Sequence, residues 1–218
     1  MNRFRSMYFI AILVVAMSAP VSAGAADSSG KPTRGKTVSE IYTKGQRTLQ
    51  IVSGALFTPA DQDKGISSFD YAQTNIRLGF MRNSPRDTTS WFRGNTEVIL
   101  ELSNSIVLKG PGDYLGGITG LVRYNFVQPN TRWIPYIQGG VGVVYNDVYK
   151  DKTQSAIGQA IEFTPQASVG LRYHLSSRWS VDVEAMYHHI SNAGMSDRNG
   201  AINAFGGFLG LSYFFDRP

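Results

Sequence analysis

The segment 187–194, YHHISNAG, brings a base, a hydroxyl and an amide close together in the chain. An alcohol nucleophile needs a base within hydrogen-bond reach and a third group that orients the base. His189 and Ser191 are two residues apart, so on a β-strand their side chains project from the same face. Asn203 falls on the following predicted strand, where a cross-strand neighbour can supply the third group. This arrangement is typical of a site for ester hydrolysis.

Two further amides lie in the predicted loop between these strands. Asn192 and Asn199 can donate hydrogens to the oxyanion of the tetrahedral intermediate that forms when an ester is attacked. The chain has no cysteine, which excludes a thiol nucleophile, a thiolate zinc site and a disulfide framework. A serine mechanism of this kind requires no metal and no cofactor, and we expect none.

The start of the chain has the organisation of a secretory signal peptide. Arg3 and Arg5 precede an apolar run over 7–17, and small residues follow it. The run is shorter than the about 20 residues of a membrane-spanning helix, and no later stretch approaches that length. We predict a signal peptide over 1–25, an N-terminal extension over 26–45 and one folded domain over 46–218. The formal charge of +5 includes both arginines, so the exported domain is only mildly basic and nucleic-acid binding is not indicated.

The rest of the chain reads as a series of strands. Segments with alternating apolar and polar residues are separated by clusters of Gly, Pro, Asn, Asp and Ser, and the connections alternate between short turns and longer loops. Outer-membrane barrels have short periplasmic turns and long external loops, and eight is their smallest strand number. We therefore predict an all-β fold, an eight-stranded antiparallel transmembrane β-barrel, with strands at about 46–57, 70–82, 92–107, 115–127, 133–146, 161–174, 178–190 and 201–215.

Two patterns favour a barrel in lipid over a soluble sandwich. Trp91, Trp133 and Trp179 each follow a short turn, as an aromatic girdle at one membrane interface requires. In the segment 179–188 the odd positions are apolar and the even positions mostly polar, which predicts an apolar outer face and a polar lumen. The inward positions predict a structural network that fills the lumen, with His174 and His188 beside the charged residues Arg77, Glu97, Glu101, Arg123, Arg172, Asp182 and Glu184.

The same alternation places His189, Ser191 and Asn203 on the outer face. Ten residues separate Trp179 from His189, roughly 33 Å of strand, and a tilt of about 40° converts this to a height of about 25 Å. That height spans the apolar band of a barrel. The three side chains would then lie at the outer-leaflet interface, where the ester groups of a lipid are found.

The run from His189 to Gly194, followed by Asn199-Gly200 and an outward polar residue at Asn203, resembles the motif of the outer-membrane lipid A 3-O-deacylases, the PagL-like family. Members of that family are eight-stranded barrels that remove the 3-linked acyl chain of lipid A with a serine nucleophile, a histidine base, an acidic residue and asparagines at the oxyanion. The resemblance implies that Ser191 is the nucleophile and His189 the base, with Asn192 and Asn199 at the oxyanion. It also implies a lipopolysaccharide substrate in the bacterial outer membrane.

The third group departs from the pattern of the family. The position fourteen after the histidine, a glutamate in the best-studied pattern, is Asn203 here. Replacing the triad acid of a serine protease by asparagine costs about 10⁴ in turnover, although an amide oxygen can accept a hydrogen bond from imidazole in other sites. Asp197 is the other candidate orienter, because Asp182 and Glu184 project inward by parity.

Two other functions are compatible with this sequence. The first is a small barrel with a structural or adhesive role, whose catalytic motif has decayed at Asn203. The second is an outer-membrane phospholipase that uses the same hydrolytic groups on glycerophospholipids. A Ser191→Ala variant separates the first from an esterase, and headgroup preference in a mixed-lipid assay separates the second.

Overall fold

A computed structural model of the protein describes residues 37–59, 68–86 and 89–216. The predicted signal peptide and the first part of the predicted extension lie outside the described residues. None of the helices within the described ranges is long and apolar enough to cross a membrane.

The described chain is almost entirely antiparallel sheet. Consecutive strands pair with each other, except that the sixth and seventh strands both pair with the fifth. The pairing of the first strand with the last completes the closed sheet. A four-residue helix and one 3-10 turn accompany the strands. The elements are α1 (Val38–Ile41), β1 (Arg47–Phe57), β2 (Asp70–Met81), β3 (Gly94–Lys109), β4 (Tyr114–Phe126), β5 (Trp133–Asn146), the 3-10 turn (Val148–Lys150), β6 (Ile161–Phe163), β7 (Gln166–His174), β8 (Trp179–Ile190) and β9 (Ile202–Phe214).

The predicted eight-stranded barrel is confirmed, with one of its strands in two pieces. Both β6 and β7 pair with β5, and the register with β5 is unchanged across the interruption at Thr164 and Pro165. The interruption falls where proline lacks the N–H that a strand would contribute to the ladder. Thr164 still exchanges hydrogen bonds of 2.9 and 3.2 Å with Gly142 of β5. The two short strands therefore take the place of one barrel strand, the β6–β7 strand.

The two faces of the barrel differ as the alternation predicted. In β8 the even-numbered side chains from Ser180 to Ile190 are buried, whereas Val181 and Val183 are 40% and 59% exposed. Large apolar side chains cover the outer wall of the other strands in the same way, including Ile76, Leu100, Val122 and Leu209. An apolar exterior around a polar interior is the arrangement of a barrel that sits in lipid.

Paired charges fill the middle of the lumen, as predicted. Arg77 contacts Glu101 at 2.6 Å and Glu184 at 2.7 Å, and Arg172 contacts Asp182 at 2.7 Å. Arg123 lies 3.6 Å from Glu97. Removing one member of such a buried pair costs about 3–5 kcal/mol because the other charge is left without a partner. Each of these buried charges therefore depends on its partner on a neighbouring strand or across the lumen.

The short-turn end is closed by part of the predicted extension. Ile41 and Tyr42 are buried against Met81, Ile134 and Phe214, among other apolar side chains. The Tyr42 hydroxyl lies 2.8 Å from His174 Nε2, and the amide of Asn95 donates to the Tyr42 carbonyl at 3.0 Å. Residues 37–45 thus pack into the mouth of the barrel, which gives this segment a place that its sequence did not indicate.

Candidate active site

The hairpin of β8 and β9 carries the predicted catalytic residues on its outer face. Directly opposed residues in an antiparallel pair have side chains on the same face and close together. His189 pairs with Asn203, and Tyr187 pairs with Phe205. The neighbours of His189 in the chain, His188 and Ile190, are buried in the lumen. Strand alternation alone therefore directs His189 outward.

Hydrogen bonds connect the three predicted residues in one line. Nδ1 of His189 lies 2.7 Å from Oδ1 of Asn203, and Nε2 of His189 lies 2.9 Å from Oγ of Ser191. An amide oxygen only accepts hydrogen bonds, so Nδ1 carries the proton and Nε2 presents its lone pair to the hydroxyl. This tautomer can take a proton from Ser191.

Tyr187 is a fourth member of this line that the sequence did not reveal. Its hydroxyl donates to the same Asn203 oxygen at 2.7 Å. The ring packs beside Phe205, with 4.9 Å between ring centroids. Two donors on one oxygen hold the Asn203 amide with its oxygen towards the imidazole. The outward parity of Tyr187 with His189 was visible in the sequence, but an outward tyrosine near a strand end resembled part of an aromatic belt.

The β6–β7 strand hydrogen-bonds to the backbone of the site on the side opposite β9. The N–H of Ser191 donates to the Phe163 carbonyl at 3.1 Å, and the Phe163 N–H donates to the Ser191 carbonyl at 2.8 Å. The N–H of His189 donates to the carbonyl of Pro165 at 3.0 Å. The backbone of both residues is therefore fixed in the sheet, although Ser191 lies one residue beyond the end of β8.

The two predicted oxyanion residues are bonded to each other. Asn192 is fully buried, its N–H donates to Oδ1 of Asn199 at 3.1 Å, and its side-chain amide donates to the Arg198 carbonyl at 2.9 Å. Its own oxygen accepts from the Gly194 N–H at 3.0 Å. One N–H of the Asn192 amide is thus used within the loop, and the side chain is buried away from the outer surface.

Asn199 is placed differently. Its side chain is exposed, and its oxygen is the atom that accepts from Asn192. Its NH₂ group therefore points away from the Asn192 N–H and donates to no acceptor among the residues described. Asp197, the other candidate orienter, is exposed, and Nδ1 of His189 bonds to Asn203 instead.

The outer wall beside the site is apolar and indented. A cavity of about 450 Å³ lies on the wall next to Tyr187 and Phe205, and its lining includes Ile137, Ala167 and Val169. A second cavity of about 380 Å³ is lined by Ile161, Phe163 and Met195, among others. The exposed residues of this wall include the small residues Ala167, Ala185 and Gly207. The predicted catalytic groups therefore border surfaces that suit hydrocarbon chains.

Comparisons with known proteins agree with this fold. The crystal structure of the outer membrane enzyme PagL has a TM-score of 0.52 and 20% sequence identity, covering 75% of this chain and 97% of that chain. The crystal structure of Neisserial surface protein A (NspA) has a TM-score of 0.55 and 13% identity, covering 78% and 97%. At these identities the likeness shows the fold alone. A search of curated protein sequences found no match.

The comparison with family models goes further. The model described as "Lipid A 3-O-deacylase (PagL)" matches residues 72–212, well over half of the 218-residue chain. The match runs from β2 into β9 and includes His189, Ser191 and Asn203. The chain belongs to the lipid A 3-O-deacylase (PagL) family.

Proposed function

We propose that this protein hydrolyses the ester of the 3-linked acyl chain of lipid A, with Ser191 as nucleophile and His189 as base. The observation that carries the proposal is the His189 imidazole, which bonds Asn203 through one nitrogen and the Ser191 hydroxyl through the other on the outer wall. Membership of the family supports the substrate, and the line of hydrogen bonds supports the mechanism.

The reaction has two halves. Oγ of Ser191 attacks the acyl carbonyl carbon while Nε2 of His189 takes the hydroxyl proton. The tetrahedral intermediate then expels the sugar oxygen, which receives that proton from His189, and the acyl group stays on Ser191. Water, activated by His189, next attacks the acyl-serine and releases the fatty acid. Ser191 and His189 return to their starting states.

We assign the stabilisation of the oxyanion to the side chain of Asn199. Its NH₂ group is on an exposed side chain and bonds no other described residue, whereas Asn192 is fully buried and its amide donates to Arg198. A donor placed for the developing oxyanion contributes about 10²–10³ in rate. We therefore assign the direct role to Asn199, and the Asn192 side chain supports the loop around it.

Asn203 takes the place of an acid and can do part of its work. Its oxygen holds Nδ1 of His189 in the protonated form, which fixes the tautomer needed for proton transfer. A neutral amide stabilises the imidazolium of the transition state less than a carboxylate does. Turnover should therefore be slower than in an enzyme with the same geometry and an acid at this position.

The fold and the family indicate an outer-membrane location, and the site would then face lipid. The apolar wall beside Tyr187 and Phe205 can take the hydrocarbon of the scissile chain while the ester lies level with His189. We further propose that residues 1–25 are removed during export and that no cofactor takes part in the reaction.

Mass spectrometry of lipid A tests the proposal. Cells that express the wild type should lose one hydroxyacyl mass from lipid A, whereas cells that express Ser191→Ala should retain it. Heat-dependent mobility on gels checks that both barrels are folded in the outer membrane. Unchanged lipid A beside a folded wild-type barrel would refute the proposal. Release of fatty acid from phospholipids instead would favour the phospholipase alternative.

A further inference from the structure

The loop that joins β5 to β6, residues 147–160, is built around the side chain of Gln154. Its amide nitrogen donates to the carbonyls of Asp151 and Ile157 at 3.0 and 2.7 Å, and its oxygen accepts from the Ile157 N–H at 2.9 Å. Val148 and Ile157 are buried in the apolar cluster at this end of the lumen. We call this segment the β5–β6 loop. These bonds give it a defined backbone with carbonyls that converge.

Arg198 of the loop between β8 and β9 extends into that set of carbonyls. Its guanidinium donates to the carbonyls of Asp151 and Tyr149 at 2.8 and 2.9 Å, and to those of Gln154 and Gly158 at 3.3 and 3.4 Å. A planar guanidinium with five N–H groups can hold several acceptors in one geometry, which a lysine cannot.

The hydrogen bond from Arg198 to Asp151 goes to the backbone carbonyl and not to the carboxylate. The carboxylate of Asp151 accepts from the hydroxyl and the N–H of Thr153 at 2.6 and 2.9 Å. The hydroxyl bond and then the backbone bond lower the pKa of the Asp151 carboxyl. Arg198 bonds to the Asp151 carbonyl instead, so its role is to bind the backbone of the β5–β6 loop.

The two loops also approach each other closely along their backbones. The N–H groups of Gly200 and Ala201 donate to the carbonyls of Ser155 and Ala156 at 2.9 and 3.2 Å. A Cβ atom on Gly158 would lie 2.1 Å from Oγ of Ser196 and 2.6 Å from the Arg198 carbonyl oxygen. Glycine is therefore required at 158 for the loops to meet in this way.

A short chain of bonds leads from this contact to the catalytic residues. The Arg198 carbonyl accepts from the Asn192 amide at 2.9 Å, and the Asn192 N–H donates to Asn199 at 3.1 Å. Asn192 follows Ser191 directly in the chain. Both the nucleophile and the proposed oxyanion donor are thus linked to the residue whose guanidinium is bound by the β5–β6 loop.

We infer that Arg198 is a positioning residue that holds Ser191 and Asn199 in their reactive arrangement by binding the loop 191–201 to the β5–β6 loop. The inference rests on the proposed function for its kinetic consequence. Misplacing reacting groups by about 1 Å can cost 10²-fold in rate. Loss of the guanidinium should therefore lower kcat and leave KM nearly unchanged, because Arg198 hydrogen-bonds to carbonyls of the protein and not to the substrate.

A different role for Arg198 predicts a different result. A basic loop residue beside a lipid A deacylase site could bind a substrate phosphate. Removing such a contact would raise KM and leave kcat intact, since binding would be weakened equally in the ground state and the transition state. The two roles are thus separated by which constant changes.

The experiment compares purified wild type, Arg198→Ala, Arg198→Lys and Gly158→Ala on lipopolysaccharide in detergent. Arg178→Ala is the matched control, because Arg178 is exposed at the opposite end and pairs with Asp216. We expect kcat to fall about 10²-fold in Arg198→Ala with KM changed less than about threefold. Arg198→Lys should recover part of kcat, and Gly158→Ala should reproduce the loss from the opposite loop. Unchanged kcat, or a rise in KM alone, would overturn the inference.

Hydrogen exchange gives a second readout that does not depend on turnover. The N–H groups of Asn192, Gly194, Gly200 and Ala201 are hydrogen-bonded in the clasped loop, so they should exchange faster in Arg198→Ala than in Arg178→Ala. Equal exchange would overturn the inference. A folded wild type without deacylase activity would instead refute the proposed function, and the exchange comparison would still decide whether Arg198 holds the loop.

Discussion

His188 and His189 are adjacent in the chain and belong to different environments. His188 points into the lumen, where its Nδ1 lies 2.6 Å from the hydroxyl of Tyr71 among buried apolar side chains. His189 points outward, where Asn203 and Ser191 bond its two nitrogens. The backbone of β8 treats both residues alike. The face on which each side chain falls decides whether a histidine supports the fold or can carry out chemistry.

The largest expected effect comes from making the same substitution at both positions. His189→Gln should abolish deacylation, because glutamine cannot take the Ser191 proton, and losses for a serine hydrolase base are on the order of 10⁶. His188→Gln should keep turnover near the wild-type rate, because it alters only the interior. Both rates can be measured by mass spectrometry of released fatty acid. Comparable losses in the two variants would contradict the division between faces.

Removing the NH₂ group of Asn199 should have the next largest effect. Asn199→Ala should lower kcat about 10²–10³-fold, the usual cost of one oxyanion donor. Asn104→Ala is a suitable control, because it removes an exposed outward amide that bonds only to Tyr114 among the described residues. Steady-state kinetics on lipopolysaccharide would measure both. A kcat within a few-fold of the wild type in Asn199→Ala would rule out its direct role.

Asn203→Asp tests whether the hydrogen-bonded group of Ser191, His189 and Asn203 differs from a catalytic triad only by the missing negative charge. Aspartate has nearly the same shape, and it can accept from both Tyr187 and His189 while stabilising the imidazolium. Because the reverse change in a serine protease costs about 10⁴, we expect kcat to rise by at least about tenfold. Asn203→Ala, which removes the acceptor, should lower kcat. An aspartate variant slower than the wild type would show that Asn203 is not the orienting group.

The smallest expected effect belongs to Tyr187. Tyr187→Phe removes one hydrogen bond to Asn203 and leaves the ring in place, and a bond worth about 0.5–1.5 kcal/mol corresponds to a fall in kcat of about two- to thirteenfold. The matched control is Tyr145→Phe, which removes a hydroxyl from another exposed tyrosine on the outer wall. If Asn203→Asp also removes the sensitivity to Tyr187→Phe, the tyrosine acts by orienting the amide.

Much of this arrangement could be predicted because side chains on a β-strand alternate between its two faces with a period of two residues. Alternation in β8 separates Asp182 and Glu184 from Val181 and Val183, and the same count carries His189 and Ser191 to the outside. The break at Pro165 leaves the register intact, so it did not disturb the count. The strands, the ion pairs of the lumen and the line from Ser191 to Asn203 therefore followed from local spacing.

Other parts of the site depend on contacts that no period encodes. The loop between β8 and β9 turns through positive φ values of 54° at Ala193 and 83° at Gly194. That turn, with the β5–β6 loop packed against it, buries Asn192 and leaves Asn199 exposed, although both were predicted to serve alike. Tyr187 and Arg198 gain their partners from a neighbouring strand and a distant loop. Such partners are decided by tertiary structure.

Tyr42 also bears on how this protein assembles. Its contacts come from β3, β7 and β9 at once, through Asn95, His174 and Phe214. These strands lie far apart in the chain, and β9 completes the ring only when it pairs with β1. The set of residues that contact Tyr42 is therefore complete only after the barrel has closed. Protection of residues 37–45 from a protease would mark the final step of assembly in the membrane.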